Sequence, residues 1–407
     1  MIEVNKKKSY KIVRESLNSI QGEQLEVFEE GLRKDKNGNI NIPFSQKGYL
    51  CNNDLINSFN EDVQAISFFS GGGGLDIGSQ LAGVKVISSM DFDKDSVETL
   101  RANNYFSHTK HFHKDISDMS ADDYEEILKK NNPKKLILLG GPPCQPFSKA
   151  GYWVTNKKRK ASSDPRNMIG QYFRMIAELN PDGFILENVE SILHPSNKEA
   201  VQAIEKGMED LGYHYVLLRI NAADYGIPQK RKRVFFVASK NPIDSFLEPT
   251  HGTEKDRQSN PNLLPHEKVI DWIGKYDDPM YAEPSELNLG KYEEEFRSVP
   301  PGKNYIALTE KAGYPNPKFV AGKRYWTFLL KLHPNLPSWT IIASPGSYEG
   351  PFHWTNRRLR MKELAAIQTF PEDYVFMGSP RSQRKQIGNA VPPLLGAKIV
   401  EYLCRWL

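Results

Sequence analysis

The stretch Ser67-Phe-Phe-Ser-Gly-Gly-Gly-Gly-Leu-Asp-Ile-Gly78 reads as the end of a buried strand, a glycine turn and the start of a helix. Glycines in such a turn accept positive φ and let a ligand approach the backbone. Gly72, Gly74 and Gly78 give G-x-G-x-x-x-G, one residue longer than the dinucleotide fingerprint. Asp91 closes the next apolar run, about 20 residues on, where a carboxylate can accept bonds from ribose hydroxyls. Phe92 follows and is suited to stacking on an adenine. Asp115, expected at the end of a third strand, is suited to an exocyclic amine. No Walker lysine is present. Acidic groups around a glycine turn suit a cationic nucleoside such as S-adenosylmethionine better than a polyphosphate. The competing reading is a tight turn that binds nothing.

Outward from this stretch, short apolar runs alternate with helical patterns. Residues 63–69, 84–90, 136–140, 183–186, 215–220 and 234–238 are predicted strands. Residues 75–82, 95–102, 121–130, 168–179 and 200–211 carry helical spacing. The alternation predicts an α/β fold, a doubly wound sheet with helices on both faces. Ligands then sit beyond the carboxyl ends of the strands. From residue 241 to 340 the chain is rich in Pro, Asn, Glu and Lys with weak periodicity, which predicts a second, irregular domain. Helical patterns return at 361–368 and 391–407. Residues 1–61 form a polar extension of unknown role, with one helical pattern near 24–32.

Composition sets bounds on function. The 407 residues are 39% hydrophobic and 26% charged, with a net charge of +4 and a pI near 8.6. That balance is globular and permits a nucleic-acid partner without demanding one. No stretch is long and apolar enough for a membrane span, and the lysine-bearing N-terminus lacks the apolar core of a secretory signal. Cys51, Cys144 and Cys404 lie far apart, with no Cys-x-x-Cys pair, so neither a zinc site nor a disulfide framework is expected. A reducing cytoplasmic setting fits, and no metal is expected.

Three features are placed for chemistry on the strand ends. Gly140-Gly-Pro-Pro-Cys-Gln-Pro-Phe-Ser148 is too rich in Pro and Gly for a helix and holds Cys144 just past a buried strand. Glu187 ends the run 183–186 on the same sheet edge. Gln229-Lys-Arg-Lys-Arg233 leads into another strand, and Arg231 and Arg233 share a face if that approach is extended. The bland alternatives are a buried small thiol, a helix-capping acid and a solvated basic turn.

Taken in order, these motifs resemble those of the carbon-5 cytosine DNA methyltransferases. FFSGGGGLDIG resembles the family's S-adenosylmethionine loop, PPCQPFS its nucleophile motif and ENV (187–189) its glutamate motif. QKRKR resembles its Gln-x-Arg-x-Arg motif, and QIGNAVPP (386–393) its closing motif. RRLRMKELAAIQTFPEDY (357–374) is a weaker match, with Arg360, Lys362 and Ala366 where threonine, arginine and arginine are common. The resemblance implies a Rossmann-like methyltransferase sheet. The catalytic domain would be 62–240 plus 379–407, and the target-recognition domain, 241–378, an insertion before the C-terminal helix. It implies that Cys144, Glu187, Arg231 and Arg233 are catalytic. It further implies cofactor contacts at Phe69, Ser70, Gly71, Gly72, Gly73, Gly74, Asp91, Phe92, Asp115, Ile116, Pro143, Asn389 and Val391.

On this reading Cys144 adds to carbon-6 of a flipped cytosine, and Glu187, raised in pKa by burial, assists at ring nitrogen-3. The segment 148–160, with Gly, aromatic and basic residues, fits a clamp on phosphates. Lys323, Arg324, Trp339, Trp354, Asn356, Arg357 and Arg358 are candidates for DNA contact, none assigned. Double-stranded DNA is the expected partner, bound by a monomer. A cognate restriction endonuclease for the same site is expected by resemblance. An RNA substrate, and a DNA-binding protein that has lost catalysis, are the other readings left open.

Overall fold

Strands form where both faces of a segment can be buried, and the central runs of this chain satisfy that condition. The computed structural model describes residues 47–48, 62–143, 168–284 and 290–407. Cys51, Cys144, segment 148–160 and the helical pattern at 24–32 lie outside the described residues.

Seven strands form one sheet: β1 (Val63–Phe68), β2 (Lys85–Asp91), β3 (Lys110–His113), β4 (Lys135–Gly140), β5 (Gly183–Val189), β6 (His214–Asn221) and β7 (Lys232–Ser239). Their spatial order is β3-β2-β1-β4-β5-β7-β6. The first five pair in parallel, while β7 runs antiparallel to both β5 and β6. The order reverses between β1 and β4, the place where a doubly wound sheet opens a crevice at its carboxyl edge.

Period-two alternation sends neighbouring residues to opposite faces, and here both faces are dry. Ile66, Phe68, Leu138, Phe184 and Leu186 pack with Met175, Ile176, Ile204 and Met208 on one face. The last four come from α4 (Met168–Leu179) and α5 (Lys198–Asp210), which follow α1 (Gly74–Leu81), α2 (Lys94–Ala102) and α3 (Glu125–Asn131) in the chain. Ala65, Ile137, Leu139, Ile185 and Val237 face the other way, against Leu75, Leu395, Ile399, Val400 and Leu403. Each of these side chains except the smaller Ala65 contributes roughly 1.5–3 kcal/mol on burial.

The second face is closed by helices from opposite ends of the chain. α6 (Met361–Ile367) and α7 (Pro380–Asn389) lead to α8 (Pro393–Cys404), which packs on α1. A Cβ at Gly78 would lie 2.7 Å from Pro393 O and 2.8 Å from Ala397 N, so the close crossing requires glycine there.

The predicted strands and helices agree with the structure to within three residues at most ends, and three differences have physical causes. Residues 121–124 form a 3-10 turn before α3, stabilised by a Ser120–Asp123 capping box. The third strand stops at His113, two residues short of Asp115. α7 was not anticipated, because Pro-Arg-Ser-Gln-Arg-Lys-Gln has no apolar stripe and only Gln386, Ile387 and Gly388 are buried. Its start is nonetheless set by an ordinary signal, Ser379 as N-cap and Pro380 at the first position.

Residues past 241 carry short helices, two-residue strands and turns, as the weak periodicity implied. They contribute to two clusters. One joins Val269, Ile270, Trp272, Leu364, Ile367 and Phe370 to Ile77, Leu100 and Phe106 near α1 and α2. The other is separate: Phe296, Val299, Tyr305, Leu308, Phe328, Leu329 and Phe352.

Candidate active site

The glycine turn after β1 is built from residues in the left-handed region. Gly71 has φ 53° and Gly73 φ 80°, and Phe69 takes φ 56°, uncommon for a residue with a side chain. The Phe69 ring is held edge-on to Tyr172 at 6.4 Å. Gly71 N donates to Asp91 Oδ2 at 2.7 Å, and Asp93 N donates to Asp91 Oδ1 at 2.8 Å. Turn and carboxylate are therefore one unit. Burial raises the Asp91 pKa, against those two N–H donors.

Phe92, directly after Asp91, is 73% exposed, a large ring with little packed on it. Asp115 Oδ1 accepts from Ser117 N (2.9 Å) and Ser117 Oγ (2.7 Å), which caps the turn that follows. Ile116 is core, so only its backbone can meet a ligand. The closing motif forms the back wall. A Cβ on Gly74 would lie 2.2 Å from Val391 O, and Tyr374 Oη donates to Gly72 O at 2.8 Å. Ser70 is buried, while Asn389 and Pro143 are exposed.

A second group gathers where β4 and β5 end together, Gly140 beside Leu186 in the register. The Tyr172 ring lies 2.6 Å from where a Cβ would stand on Gly140. Gly141 is next, 3.3 Å from Glu187 Oε2 by the same measure. Asn188 Nδ2 donates to Pro142 O at 3.1 Å. Glu187 Oε1 pairs with Arg233 Nε at 2.9 Å, both nearly buried. Burial raises the Glu187 pKa, opposed by Arg233 and Arg231. Desolvation thus favours the protonated carboxyl and the guanidinium the ionised one, with desolvation the larger effect. The strand leading to Cys144 thus ends against this carboxyl.

Arg231 and Arg233 bond to different partners. Arg231 is fully buried, and its Nη2 donates to Gly388 O (2.9 Å), Asn389 O (3.2 Å) and Ala390 O (2.9 Å) at the C-terminal end of α7. A cation on the last carbonyls of a helix complements its dipole. Arg231 thus secures α7 behind the site, and its charge lowers the Glu187 pKa. Gln229 of the same motif is also structural. Its Nε2 donates to Gln368 Oε1 at 2.8 Å and its Oε1 accepts from Ile341 N at 3.0 Å.

Among the DNA-contact candidates, several are buried. Arg357 forms a bidentate pair with Glu363 (2.7 and 2.9 Å) and bonds Asp277 Oδ1 at 2.6 Å. Asn356 Oδ1 accepts from Lys331 Nζ at 2.5 Å, and Trp354 is core. Arg360, where threonine was the common residue, donates to Tyr276 O and, at 2.7 Å, to Asp278 O. The basic run 357–362 thus holds the base of α6 in place. Lys323 and Arg324 remain exposed. Arg358 is half-buried and donates to Ser347 O. Lys230 lies 4.9 Å over the Trp339 ring.

Asp76 escaped notice in the sequence. It lies on α1 beneath the glycine turn, fully buried, with Oδ1 accepting from Ser67 Oγ at 2.5 Å. Burial raises its pKa from 3.8 to about 7, opposed by the Ser67 and Ser70 hydroxyls. The available signal was an acid on the core-facing side of an otherwise small and apolar helix.

The family model for C-5 cytosine-specific DNA methylase matches residues 63–405. The type II methyltransferase M.SacI of Streptomyces achromogenes is 36% identical over 376 residues, covering 86% of this chain and 94% of that protein. The type II methyltransferase M1.HphI of Haemophilus parahaemolyticus is 32% identical over 348 residues, covering 83% and 85%. A crystal structure of a prophage-encoded E. coli protein, described as a DNA modification methyltransferase, superposes with a TM-score of 0.61. It is 22% identical and covers 84% of this chain and 99% of that one, a likeness of fold. The chain belongs to the C-5 cytosine-specific DNA methylase family.

Proposed function

We propose that this DNA cytosine-5 methyltransferase works on a cytosine extruded from duplex DNA, through a transient bond from Cys144, with S-adenosylmethionine as methyl donor. The observation that carries this reading is the corner formed by Gly141, Glu187 and Arg233. It sets a carboxyl of raised pKa beside the strand end that leads to Cys144.

The residues present fit the donor. Gly71 leaves open space where a side chain would stand, Asp91 keeps lone pairs on both oxygens for ribose hydroxyls, and Phe92 offers an open ring face. Asp91 and Asp115 give the surroundings a negative character suited to a cation. Phe69, Ser70, Ile116, Pro143, Asn389 and Val391 complete the proposed contacts. S-adenosylmethionine supplies, when bound, the electrophilic methyl that the activated carbon-5 takes.

The chain's own groups supply the activation. The Cys144 thiolate adds to carbon-6, and the electron pair moves through the ring toward nitrogen-3. Protonated Glu187 delivers its proton to that nitrogen, so the addition leaves a neutral enamine nucleophilic at carbon-5. Arg233 holds Glu187 in place and offers its guanidinium to the ring carbonyl; Arg231 acts from behind by its charge. Loss of the carbon-5 proton and elimination of the thiolate restore the ring. The thiol and the methyl donor must reach the ring from outside the base stack, which requires the base to flip.

Residues 62–240 and 379–407 form the catalytic domain on this reading, and 241–378 the target-recognition domain. Its separable part would be the small core around Phe296, Tyr305 and Phe328. The relatives named as type II methyltransferases support a protective role beside a restriction endonuclease of the same site, in the cytoplasm, with a monomer acting on DNA. Among the described residues no helix is long and apolar enough to cross a membrane.

Tritiated S-adenosylmethionine and mixed-sequence DNA test the reaction. Label should enter DNA with wild-type protein and not with Cys144→Ser, and 5-fluorocytosine DNA should trap a covalent adduct. A folded, donor-binding wild type that labels no DNA would overturn the reading.

A further inference from the structure

We propose that the turn Val320-Ala-Gly-Lys323, with Arg324, Tyr325 and Trp326 behind it, enters a DNA groove and selects the sequence to be methylated; this rests on the proposed reaction with duplex DNA. Exposure first draws attention to it. Val320 is 66% exposed, Tyr325 52% and Trp326 39%, three large apolar side chains within seven residues. Apolar groups clustered on a surface mark a contact site more often than scattered ones do.

The chemistry of the cluster points to nucleic acid. Lys318 to Trp326 contains Lys318, Lys323 and Arg324 and no acidic residue. Glu349, which faces Tyr325, is engaged by Thr327 Oγ1 (2.8 Å) and Gly346 N (2.9 Å). Cations alone would suggest phosphate contacts. Cations mixed with an exposed Val and aromatic rings match base edges, where guanine acceptors and thymine methyls lie side by side.

The turn is rigid at its base and open at its tip. Lys323 N donates to Val320 O at 3.3 Å, with Gly322 at φ 77° and no atom within 4 Å of where its Cβ would stand. Tyr305 Oη donates to Arg324 O (3.0 Å) and accepts from Gly322 N (3.1 Å), and Asn304 Nδ2 donates to Trp326 O (2.8 Å). The Arg324 guanidinium rests 5.2 Å from the Phe328 ring and bonds Tyr292 Oη at 3.2 Å. A side chain held in this way loses little freedom on binding.

The turn is also tied to the catalytic edge. Trp326 packs on Trp339 at 5.8 Å, and Ser338–Trp339 pairs in parallel with Gln229–Lys230, directly before Arg231. A groove element anchored here can register one base pair against the reacting cytosine.

The test compares Val320→Ala, Lys323→Ala and Arg324→Ala with wild type and with Lys129→Ala, an exposed control on α3. Methylated sites are mapped by bisulfite sequencing. kcat/KM is measured on the cognate duplex and single-base variants of it, and donor affinity without DNA. At least one turn variant should relax selection at one base pair, or lose at least ten-fold in kcat/KM on the cognate duplex but not on its single-base variants, with donor affinity within two-fold of wild type. The proposal is overturned if all three variants methylate the same sites within two-fold of wild type. A loss uniform across all sequences with a shallower salt dependence also overturns it, since that marks phosphate anchoring alone. A wild type that methylates no DNA removes both readings at once, and it is recognised before any variant is compared.

Discussion

Asp76→Asn offers a test of the electrostatics beneath the glycine turn. The carboxyl is fully buried and raised from 3.8 to about 7. Its folded pKa lies above the unfolded one, so its contribution to stability is complete below about pH 4 and is lost as pH rises toward 7. Across that window the native state holds one more proton at this site than the unfolded chain. Stability therefore falls by about 1.4 kcal/mol per pH unit from this group alone. The shift of about three units gives a total near 4 kcal/mol by pH 8. Asparagine keeps the size and cannot titrate, so the variant escapes this loss. Urea unfolding followed by tryptophan fluorescence at pH 4.5, 6, 7 and 8 measures it. About 1 kcal/mol of the total is already lost at pH 4.5, so the stability difference should move toward the variant by about 3 kcal/mol across the series. Parallel curves for the two proteins would show that Asp76 ionises as readily in the folded chain as outside it, and the account would fail.

Glu187→Gln should lower kcat by roughly 10²–10⁴ with little change in donor affinity, since it removes a proton donor and not a cofactor contact. In the wild type the raised Glu187 pKa places proton donation on the acid side, so single-turnover rates should fall on the alkaline limb as the carboxyl ionises, and the variant should lack that limb. Gly73→Ala should cost at least about 1 kcal/mol and weaken donor binding, seen by calorimetry. Its backbone sits at φ 80°, and a Cβ would meet Leu100 at 2.7 Å and Tyr374 Oη at 2.8 Å.

The sheet was legible because its strands are buried on both faces and read as unbroken apolar runs. Strand β3, Lys-His-Phe-His at the sheet edge, gave no such run, and α7 had no apolar stripe. Glu187 was legible by position, as an acid at a strand end, and Asp91 likewise. The buried charges were not. Arg231, Arg357, Arg360 and Glu363 look in sequence like a solvated or DNA-facing surface. The three arginines are buried because each finds carbonyls or an opposite charge from segments dozens of residues away, information that no local pattern carries, and Glu363 is buried because Arg357 and the Arg360 N–H close on it. The small core around Phe296 and Phe328 was equally hidden, since its aromatic residues come from turns without period.

The seating of Gly74 and Gly78 on Val391 and Pro393 has a consequence for how the protein matures. During synthesis the glycine turn emerges about 300 residues before the wall it leans on. A nascent or prematurely terminated chain that stops short of that wall lacks the support on which the turn rests.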